Sequence, residues 1–415
     1  MSVRLFSVNY WPEPTGIGPY VTEFAEHLAG IGVDVEVITA HPHYPSWKPH
    51  PDYEGRGNVS EVRNGVRIHR VPVTLPNEMN LIGRARFEFS FLRRANRLSR
   101  SLAPRDITIG YSPGLASGLM AMISGRREGG GHHLVVQDLA GNGIEQSTLT
   151  SLRPIVWAVR SIEGRAACTA DRVVAISKAF VEPLVAQGVE RDRITVLGNW
   201  QKSDSQGNDP SITAHYRKRF APSGETLVLH AGSIGIKQGL DQLVEAAEAS
   251  IDSNLRFVLV GQGSERARLE ALAGSLNNFE FADPVPARDI SSMLAAADVL
   301  VLSQSRRNLD MSFPSKLGSY LGAGVPIVAC VPPAGAVARY LEETEAGLVI
   351  DCQFPQRLLS AIESLERHRE LKVTLNKNAA KALEDWHAGE LLDTWTDTLV
   401  GAEQVDSRSP RLPIP

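Results

Sequence analysis

The sequence alternates short, β-rich apolar runs with helical segments along nearly its whole length. A strand, a helix and a second strand repeated in this way form βαβ units, whose strands lie parallel in one sheet. In the first half, strands are predicted at residues 3–10, 34–39, 66–73, 106–111, 133–139 and 171–177. Helical periodicity occupies the gaps at 19–30, 84–102 and 154–169. The pattern therefore predicts an α/β protein.

The alternation stops at residues 198–213, GNWQKSDSQGNDPSIT, which are polar and turn-rich. Such a segment is typical of a linker between domains. The alternation then restarts, with strands predicted at 227–233, 256–261, 279–283, 298–303, 327–331 and 347–350 and closing helices at 354–367, 371–385 and 389–402. Because 415 residues exceed what one compact core usually holds, we predict two doubly wound parallel-sheet domains, 1–200 and 201–386, followed by a helix and tail at 387–415.

Composition excludes several classes of protein. A formal net charge of -4 gives no electrostatic reason to expect nucleic acid. The first residues lack the apolar core of a signal peptide, and no run approaches the roughly 18 apolar residues that span a bilayer, so we expect at most peripheral membrane contact. The three cysteines have no CxxC spacing, which predicts neither a disulfide framework nor a zinc site and favours a reducing cytoplasm.

Glycine-rich turns follow the first strand of each predicted domain. Gly16 and Gly18 lie between strand and helix, where backbone N–H groups can approach an anion; a turn that merely needs small residues explains them equally well. In the second half, HAGSIGIKQG combines glycines with one lysine, Lys237, which suits a diphosphate. Neither turn matches a dinucleotide or Walker motif.

Two further turns in the second half are candidates for contact with a nucleobase. Gly261 and Gly263 end a strand in VGQGS, and Pro284 and Val285 follow another in FADPVP. Backbone edges in such turns can pair with a base, although either turn alone is only a loop.

The candidates on the acceptor side lie in the first half. His41 and His43 have H-x-H spacing, but no further ligands accompany them, so no metal site is predicted. The Pro- and aromatic-rich loop 40–60, which includes Tyr44 and Trp47, is predicted to form a wall for a bulky acceptor such as a carbohydrate.

Two carboxylates are candidates for work on an acceptor hydroxyl. Asp138 ends a predicted strand and could orient or deprotonate that hydroxyl, or could equally be a capping or turn aspartate. Glu145 is a lesser candidate of the same kind.

Taken in chain order, nine segments resemble the family 4 glycosyltransferases, and more narrowly the branch with exopolysaccharide transferases of the colanic-acid type. They are YWPEPTGIGPYVTEFAEHLAGIGVDVEVITAHPHYP, VVQDL, ISKAFVEPLVAQGV, VLGNW, GSIGIKQGLDQLVEAA, VGQGSERARLEAL, FADPVP, LAAADVLVL and PSKLGSYLGAGVPIVA. The resemblance extends from about residue 3 to about residue 385.

The resemblance implies the GT-B fold: two facing Rossmann-like domains, acceptor sites on the first, the nucleotide-sugar on the second, and a C-terminal helix that crosses back to the first. It implies metal-independent transfer of a hexose, with retention at the anomeric carbon, from a UDP- or GDP-sugar substrate and no cofactor. The donor-binding residues that it implies are Gly16, Ile17, Gly18, Ser233, Gly235, Gly261, Gly263, Pro284, Val285, Asp310, Ser312, Phe313, Pro314, Ser315, Lys316, Leu317 and Ser319. Lys237 is expected to be catalytic, because its charge beside the diphosphate would stabilise the leaving group.

The chain departs from the family pattern at two places. Many members carry Arg where Ser233 stands and Lys one place after Lys237. Many also carry two glutamates that fall at Met311 and Ser319, so sugar selection is expected to rest on Asp310, Ser312 or the backbone.

Other functions remain open on the sequence. An epimerase of the same fold needs an array of acids and histidines that we cannot assemble here, and no cofactor-lysine pattern supports a phosphorylase. The missing glutamates motivate a third hypothesis, a protein that binds nucleotide-sugars without transferring them. The acceptor stays open between a saccharide, a lipid-linked saccharide and a small natural product, and the donor sugar, its base and the oligomeric state are not indicated.

Overall fold

The structure is a computed structural model, and it describes residues 1–14, 16–76, 81–139, 153–200, 208–305, 316–351, 354, 356–384 and 386–401. The chain divides into two compact units. The first contains Met1–Asn199 and the segment from Gly389 onward, and the second is Trp200–Ala388.

The first unit contains one eight-stranded sheet of order β3-β4-β2-β1-β5-β6-β7-β8. Its strands are β1 (Ser2–Phe6), β2 (Asp34–Ala40), β3 (Val59–Arg63), β4 (Val66–Val71), β5 (Ile107–Ser112), β6 (Gly131–Val136), β7 (Arg172–Ala175) and β8 (Ile194–Val196). All neighbours are parallel except β3 and β4, which are antiparallel. The central strand β5 is buried along its whole length, as expected for a parallel sheet with both faces covered.

Helices connect these strands in the manner of βαβ units. They are α1 (Gly18–Gly30), α2 (Leu81–Ser99), α3 (Leu115–Glu128), α4 (Arg153–Cys168) and α5 (Val181–Ala186). Phe87, Phe91 and Ala95 of α2 are fully buried against Phe6 and other apolar side chains of the sheet, because they recur at the helical period.

A buried charge network joins strands at the amino ends of this sheet. The guanidinium of Arg4, which is fully buried, donates to Glu36 (2.6 Å) and Glu128 (2.6 Å). Glu36 also accepts from Arg105 (3.1 Å) and lies 3.1 Å from His69 Nε2. Removing one member would leave an uncompensated buried charge, so the network is a strong constraint on this part of the fold.

This network predicts a pH dependence of stability. Burial alone would raise the pKa of Glu36, but hydrogen bonds from His69 and Arg105 and the charge of Arg4 outweigh it and lower the pKa to about 2. The folded pKa lies below the ordinary value, so the stabilisation is complete above about pH 4.5 and is lost as the pH falls toward 2. We expect the stability difference between wild type and Glu36→Gln to shrink by about 2 kcal/mol between about pH 5 and about pH 3. Urea unfolding at these pH values measures it, and a constant difference would contradict the assignment.

The second unit contains a six-stranded, wholly parallel sheet of order β11-β10-β9-β12-β13-β14. Its strands are β9 (Thr226–Ala231), β10 (Leu255–Val260), β11 (Phe279–Ala282), β12 (Val299–Ser303), β13 (Ile327–Val331) and β14 (Leu348–Asp351). The chain winds outward from β9 in one direction and then from β12 in the other. Ligands of doubly wound sheets bind where the order reverses, here at the carboxyl ends of β9 and β12.

The helices of the second unit cover both faces of its sheet with two apolar clusters. They are α6 (Pro210–Phe220), α7 (Asp241–Ala249), α8 (Arg266–Ala273), α9 (Ile290–Ala295), α10 (Lys316–Leu321), α11 (Ala336–Thr344), α12 (Gln356–Arg367) and α13 (Arg369–Glu384).

The last described helix, α14 (Ala388–Leu399), packs on the first unit. Trp395 is fully buried, its ring meets Phe24 of α1 edge to face at 5.8 Å, and its Nε1–H donates to the Gly198 carbonyl (3.2 Å). Leu392 and Leu399 are buried on the same face of α14 as Trp395, because they lie three and four residues from it. The helix packs this face against the first unit.

The structure differs from two expectations about local structure. The predicted linker 198–213 includes the start of α6, because Asp209 caps that helix through Ser211 N–H (2.8 Å) and Pro210 occupies its first turn. The predicted loop 40–60 includes the start of β3, which pairs with β4 through an Asn64-Gly65 turn with both φ angles positive. Residues 201–207 lie outside the described part of the chain.

Among the described residues, we find no helix with the length and apolar character needed to span a membrane.

Candidate functional site

In the second unit, two glycine turns pack backbone against backbone at the carboxyl ends of β9 and β10. A Cβ added to Gly261 would lie 1.8 Å from the Gly232 carbonyl oxygen, and one added to Gly263 would lie 2.1 Å from that of Ile234. The turns are also joined by Gly232 N–H to Val260 (2.9 Å) and by Ile234 N–H to Gln262 (2.9 Å). Glycine is therefore required at 261 and 263 for these turns to meet.

The side chain of Lys316, the first residue of α10, extends to Gly232 in the first of these two turns. Lys316 Nζ lies 3.1 Å from where a Cβ of Gly232 would stand and 3.2 Å from Nε2 of the fully buried His230. His230 Nδ1 lies 2.9 Å from the Val301 carbonyl oxygen, to which it donates in the neutral ring. Burial, together with the charge of Lys316, holds the pKa of His230 well below its usual range, so Nε2 is left to accept from the ammonium.

The charge of Lys316 lacks a carboxylate partner within the described residues. Burial lowers the pKa of Lys316 to about 8, which still leaves most of the side chain protonated at pH 7. An ammonium has three donors, and His230 accepts one of them. An anion beside Gly232 would supply the counter-charge that the described residues do not.

Hydrogen bonds from Ser303 and Ser305, at and just after the end of β12, fix the turn that contains Lys237. The Lys237 carbonyl accepts from Ser305 N–H (2.8 Å), and Ser303 Oγ donates to the Gln238 carbonyl (2.6 Å) while accepting from Gln242 (2.6 Å). The side chains of Lys237 and Ser233 are exposed at this edge. Gly235 N–H donates to the Gln238 side chain (3.2 Å).

The two turns predicted to hold a base are linked by one arginine. Arg266 donates to the Gly261 carbonyl (2.9 Å) and to Asp283 (2.7 Å), which also accepts from Gln262 (2.9 Å). The turn at Pro284 and Val285 is therefore fixed beside Gly261. Pro284 is exposed, while Val285 packs partly against the core.

In the first unit, the loops after β1 and β2 are joined by a buried glutamate. Glu13 is 4% exposed and accepts from the N–H groups of His43 (2.9 Å) and Tyr44 (2.9 Å) and from Asn9 Nδ2 (2.7 Å). Gly16 contacts the Tyr44 ring, which lies 3.2 Å from a Cβ added there. Ile17 and Gly18 begin α1 at this point.

The two histidines predicted on the acceptor side are buried. His41 is 7% exposed and His43 is 4% exposed, and burial lowers the pKa of both rings. The His43 ring packs against Trp47 and Phe87, with centroids 5.3 and 5.1 Å apart. Tyr44 and Trp47 of the same loop are partly exposed. Among the described residues no group of His, Cys, Asp and Glu is arranged to hold a metal.

Asp138 follows β6 and is partly exposed. Its Oδ1 accepts from Leu139 N–H (2.9 Å), and its carbonyl accepts from Ser112 Oγ (2.7 Å). These contacts are those of a turn aspartate, the alternative role that its position after a strand also allowed.

The structure also describes the two further donor-site candidates of α10. Leu317 is fully buried in the core and Ser319 is partly exposed. The remaining candidates lie outside the described residues: Glu145, Asp310, Ser312, Phe313, Pro314 and Ser315.

Three residues of these sites were missed by the sequence reasoning. Glu13 and Arg266 lie within motifs of the family, but the residues that they contact, His43 and Asp283, lie 30 and 17 residues away in sequence. His230 precedes the glycine turn in HAGS, and its position at the end of a buried strand, beside the turn, was the available signal.

Two family models match the chain, one over each of the two units. Residues 15–200 match the glycosyl transferase 4-like domain, and residues 211–382 match the glycosyl transferases group 1 family. The chain is 30% identical over 340 residues to the putative colanic acid biosynthesis glycosyl transferase WcaI of Escherichia coli, covering 78% of this chain and 82% of that protein. It is 26% identical over 372 residues to a GDP-mannose-dependent alpha-mannosyltransferase of Mycobacterium tuberculosis, covering 89% of each.

Solved structures share the fold over nearly the whole chain. Sucrose-phosphate synthase from Thermosynechococcus elongatus superposes with a TM-score of 0.75 at 18% identity, covering 96% of this chain and 98% of that one. Anabaena Alr3699/HepE in complex with UDP gives 0.72 at 14% identity, covering 97% and 100%. The predicted GT-B fold is confirmed by these neighbours and by the two sheets. The chain belongs to the group 1, or family 4, glycosyltransferases, which are retaining enzymes that use nucleotide-sugar donors.

Proposed function

We propose that this enzyme transfers a hexose from a UDP- or GDP-sugar to a hydroxyl of a saccharide acceptor, free or lipid-linked, or of a small natural product. Two kinds of relative support this range of donors. One relative is named as GDP-mannose-dependent, and the Anabaena structure is described in complexes with UDP and UDP-glucose. Among the described residues Cys168 and Cys330 are free thiols, which supports our placing the reaction in a reducing cytoplasm.

The observation that carries the proposal is the ammonium of Lys316 beside Gly232 at the carboxyl ends of β9 and β12. A mostly buried cation without a carboxylate partner among the described residues is costly unless a ligand supplies the counter-charge. A diphosphate supplies it, and the absent side chain at Gly232 lets a phosphate oxygen approach the backbone.

The sugar transfer then needs little from the protein beyond charge and position. The bond between the anomeric carbon and the β-phosphate oxygen breaks, and the acceptor oxygen bonds to the same face of that carbon. The acceptor proton passes to the departing phosphate oxygen, so no strong protein base is required. Lys316, Lys237 and nearby N–H groups stabilise the charge that develops on the diphosphate. Asp138 is the candidate to orient the acceptor hydroxyl.

Donor binding is tested by thermal shift of the full chain with UDP, GDP, ADP and their sugars. A nucleotide at about 100 times its dissociation constant should stabilise the protein by roughly 2.7 kcal/mol. We expect one of UDP and GDP to stabilise the protein by this amount and the other to stabilise it less. Absence of any shift with all three nucleotides would overturn the proposed donor site.

Transfer itself is tested with radiolabelled donor and candidate acceptors. We expect labelled product only with an acceptor present. Conversion of the donor to an epimer without acceptor would identify an epimerase instead, and tight donor binding without any product would favour a protein that only binds nucleotide-sugars.

A further inference from the structure

Helix α2 of the first unit presents a continuous outer face of arginine and large apolar side chains. Successive members are three or four residues apart and therefore share one face of the helix. All six are exposed: Ile82, Arg86, Phe89, Arg93, Arg97 and Arg100, the last just beyond the helix end. We call this set the α2 outer face, and it extends over roughly 27 Å.

The charge of this helix is one-sided. Residues 81–100 contain six arginines and one glutamate, in a chain whose formal net charge is -4. That glutamate, Glu88, is buried, where it pairs with Arg84 (2.8 Å) and accepts from Ala116 N–H (3.0 Å). Within the described residues, no carboxylate lies within ion-pairing distance of the four arginines of the α2 outer face.

Apolar side chains interrupt the arginines on the same face. Ile82 is 66% exposed and Phe89 is 65% exposed, although the opposite face of the helix is well buried. Beside Phe89 lies an open depression of about 280 Å³, lined by Thr74, Arg86, Phe89, Ser90, Arg93 and Arg94. Exposed aromatic and branched aliphatic groups cost free energy in water, so their presence between cations indicates a partner that is both anionic and apolar.

The amino end of α2 lies at the sheet edge that carries the acceptor-side residues. The Phe87 ring packs 5.1 Å from that of His43 and 5.5 Å from that of Trp47. The Arg84 guanidinium lies over the Trp47 ring at 6.0 Å. A surface bound by the α2 outer face would thus lie next to the loop that carries Tyr44 and Trp47.

We propose that the α2 outer face binds the surface of an anionic phospholipid bilayer, with Ile82 and Phe89 inserted at the acyl boundary and the arginines on lipid phosphates. A helix lying in this plane needs both components on one side, which is the arrangement observed. A nucleic acid could bind the arginines and stack on Phe89, but it offers Ile82 no apolar contact, whereas a bilayer accommodates both apolar side chains.

The binding surface also narrows the acceptor class. If the proposed transferase function holds, on which this step rests, the acceptor is a lipid-linked saccharide presented at the membrane surface. The lipid binding is measured without donor or acceptor, so its failure and a failure of the transferase assignment are separate results.

The test is flotation of the full-length protein with vesicles of phosphatidylcholine alone or with about one third phosphatidylglycerol. We expect binding to the anionic vesicles only, with at least tenfold loss between about 0.05 M and about 0.5 M NaCl, where screening is strong. The triple variant Arg86→Gln/Phe89→Ser/Arg93→Gln should bind at least tenfold more weakly.

A matched control removes the same kinds of group elsewhere. Val373, Lys377 and Lys381 form an exposed stripe on α13 of the second unit, and Val373→Ser/Lys377→Gln/Lys381→Gln should bind vesicles like wild type. Should the α2 triple variant fail to fold, Arg93→Gln/Arg97→Gln gives the same readout with charge changes alone. Equal binding by wild type and α2 variants, no binding to anionic vesicles, or binding to RNA in their place would overturn the proposal.

Discussion

The Lys316→Met variant is expected to lose about 10²- to 10³-fold in kcat/KM, because one preorganised donor to the developing oxyanion is removed. Methionine keeps much of the apolar stem of the lysine, so the side chain still packs against Gly232. The variant should fold, since relief from burying an ammonium offsets the hydrogen bond that His230 loses. Transfer of labelled sugar measures the loss in kcat/KM. Thermal unfolding with and without donor measures whether the variant folds and still binds the donor.

The control is Lys377→Met, an exposed lysine on α13 of the same unit, for which we expect unchanged transfer. Lys237→Ala should reduce turnover less than Lys316→Met, because the Lys237 side chain is exposed and partly screened.

The alkaline limb of the pH profile of kcat/KM should report a pKa of about 8, above which Lys316 loses its charge. Wild-type turnover in Lys316→Met would remove this lysine from the mechanism.

The Gly261→Ala variant is expected to destabilise the second unit by about 4 kcal/mol, from backbone strain and steric overlap together. Gly261 has φ of 153°, and its Cβ would lie 1.8 Å from the Gly232 carbonyl oxygen, so the two turns have to separate. Donor binding should be lost even at temperatures where the variant remains folded, because Gly232 is displaced from Lys316. Denaturant unfolding and thermal shift with the nucleotide that binds wild type measure both effects.

Gly235→Ala is the matched control in the neighbouring turn. Its Cβ would meet Gln238 Oε1 at 3.1 Å, the end of a side chain that can rotate away, and Gly235 has no positive φ. We expect a loss below about 1 kcal/mol. Comparable losses in Gly235→Ala and Gly261→Ala would show that contact between the two turns is not what requires glycine.

The expectations that held concern elements with strong periodicity. The strand at 327–331 was predicted with its observed bounds, and helix 19–30 with an error of one residue, because apolar period and glycine punctuation mark such elements. The hairpin that contains β3 was missed inside a loop rich in proline and aromatic residues, although Asn64-Gly65 is a turn signal. The helix start at Pro210 was missed because a cap and a turn use the same residue types.

The individual roles of site residues were less predictable. The glycines at 232, 261 and 263 were identified by their place after strands, but His41 and His43 were expected at an acceptor surface and are buried. Alternation assigns a side chain to a face of a strand, whereas residues in a loop have no such period. Burial of His43 depends on Phe87, which lies 44 residues beyond it in sequence.

The sequence by itself determined two doubly wound α/β domains, the glycine turns at their strand ends and the family, because these depend on local periodicity and on ordered motifs. Only the tertiary structure decided that Lys316 meets a neutral His230, 86 residues earlier, at the point where the strand order reverses. It also decided that four arginines and two apolar side chains of α2 face outward together. Both depend on which strands are neighbours and which face of a helix they cover, and a one-dimensional pattern does not contain that information.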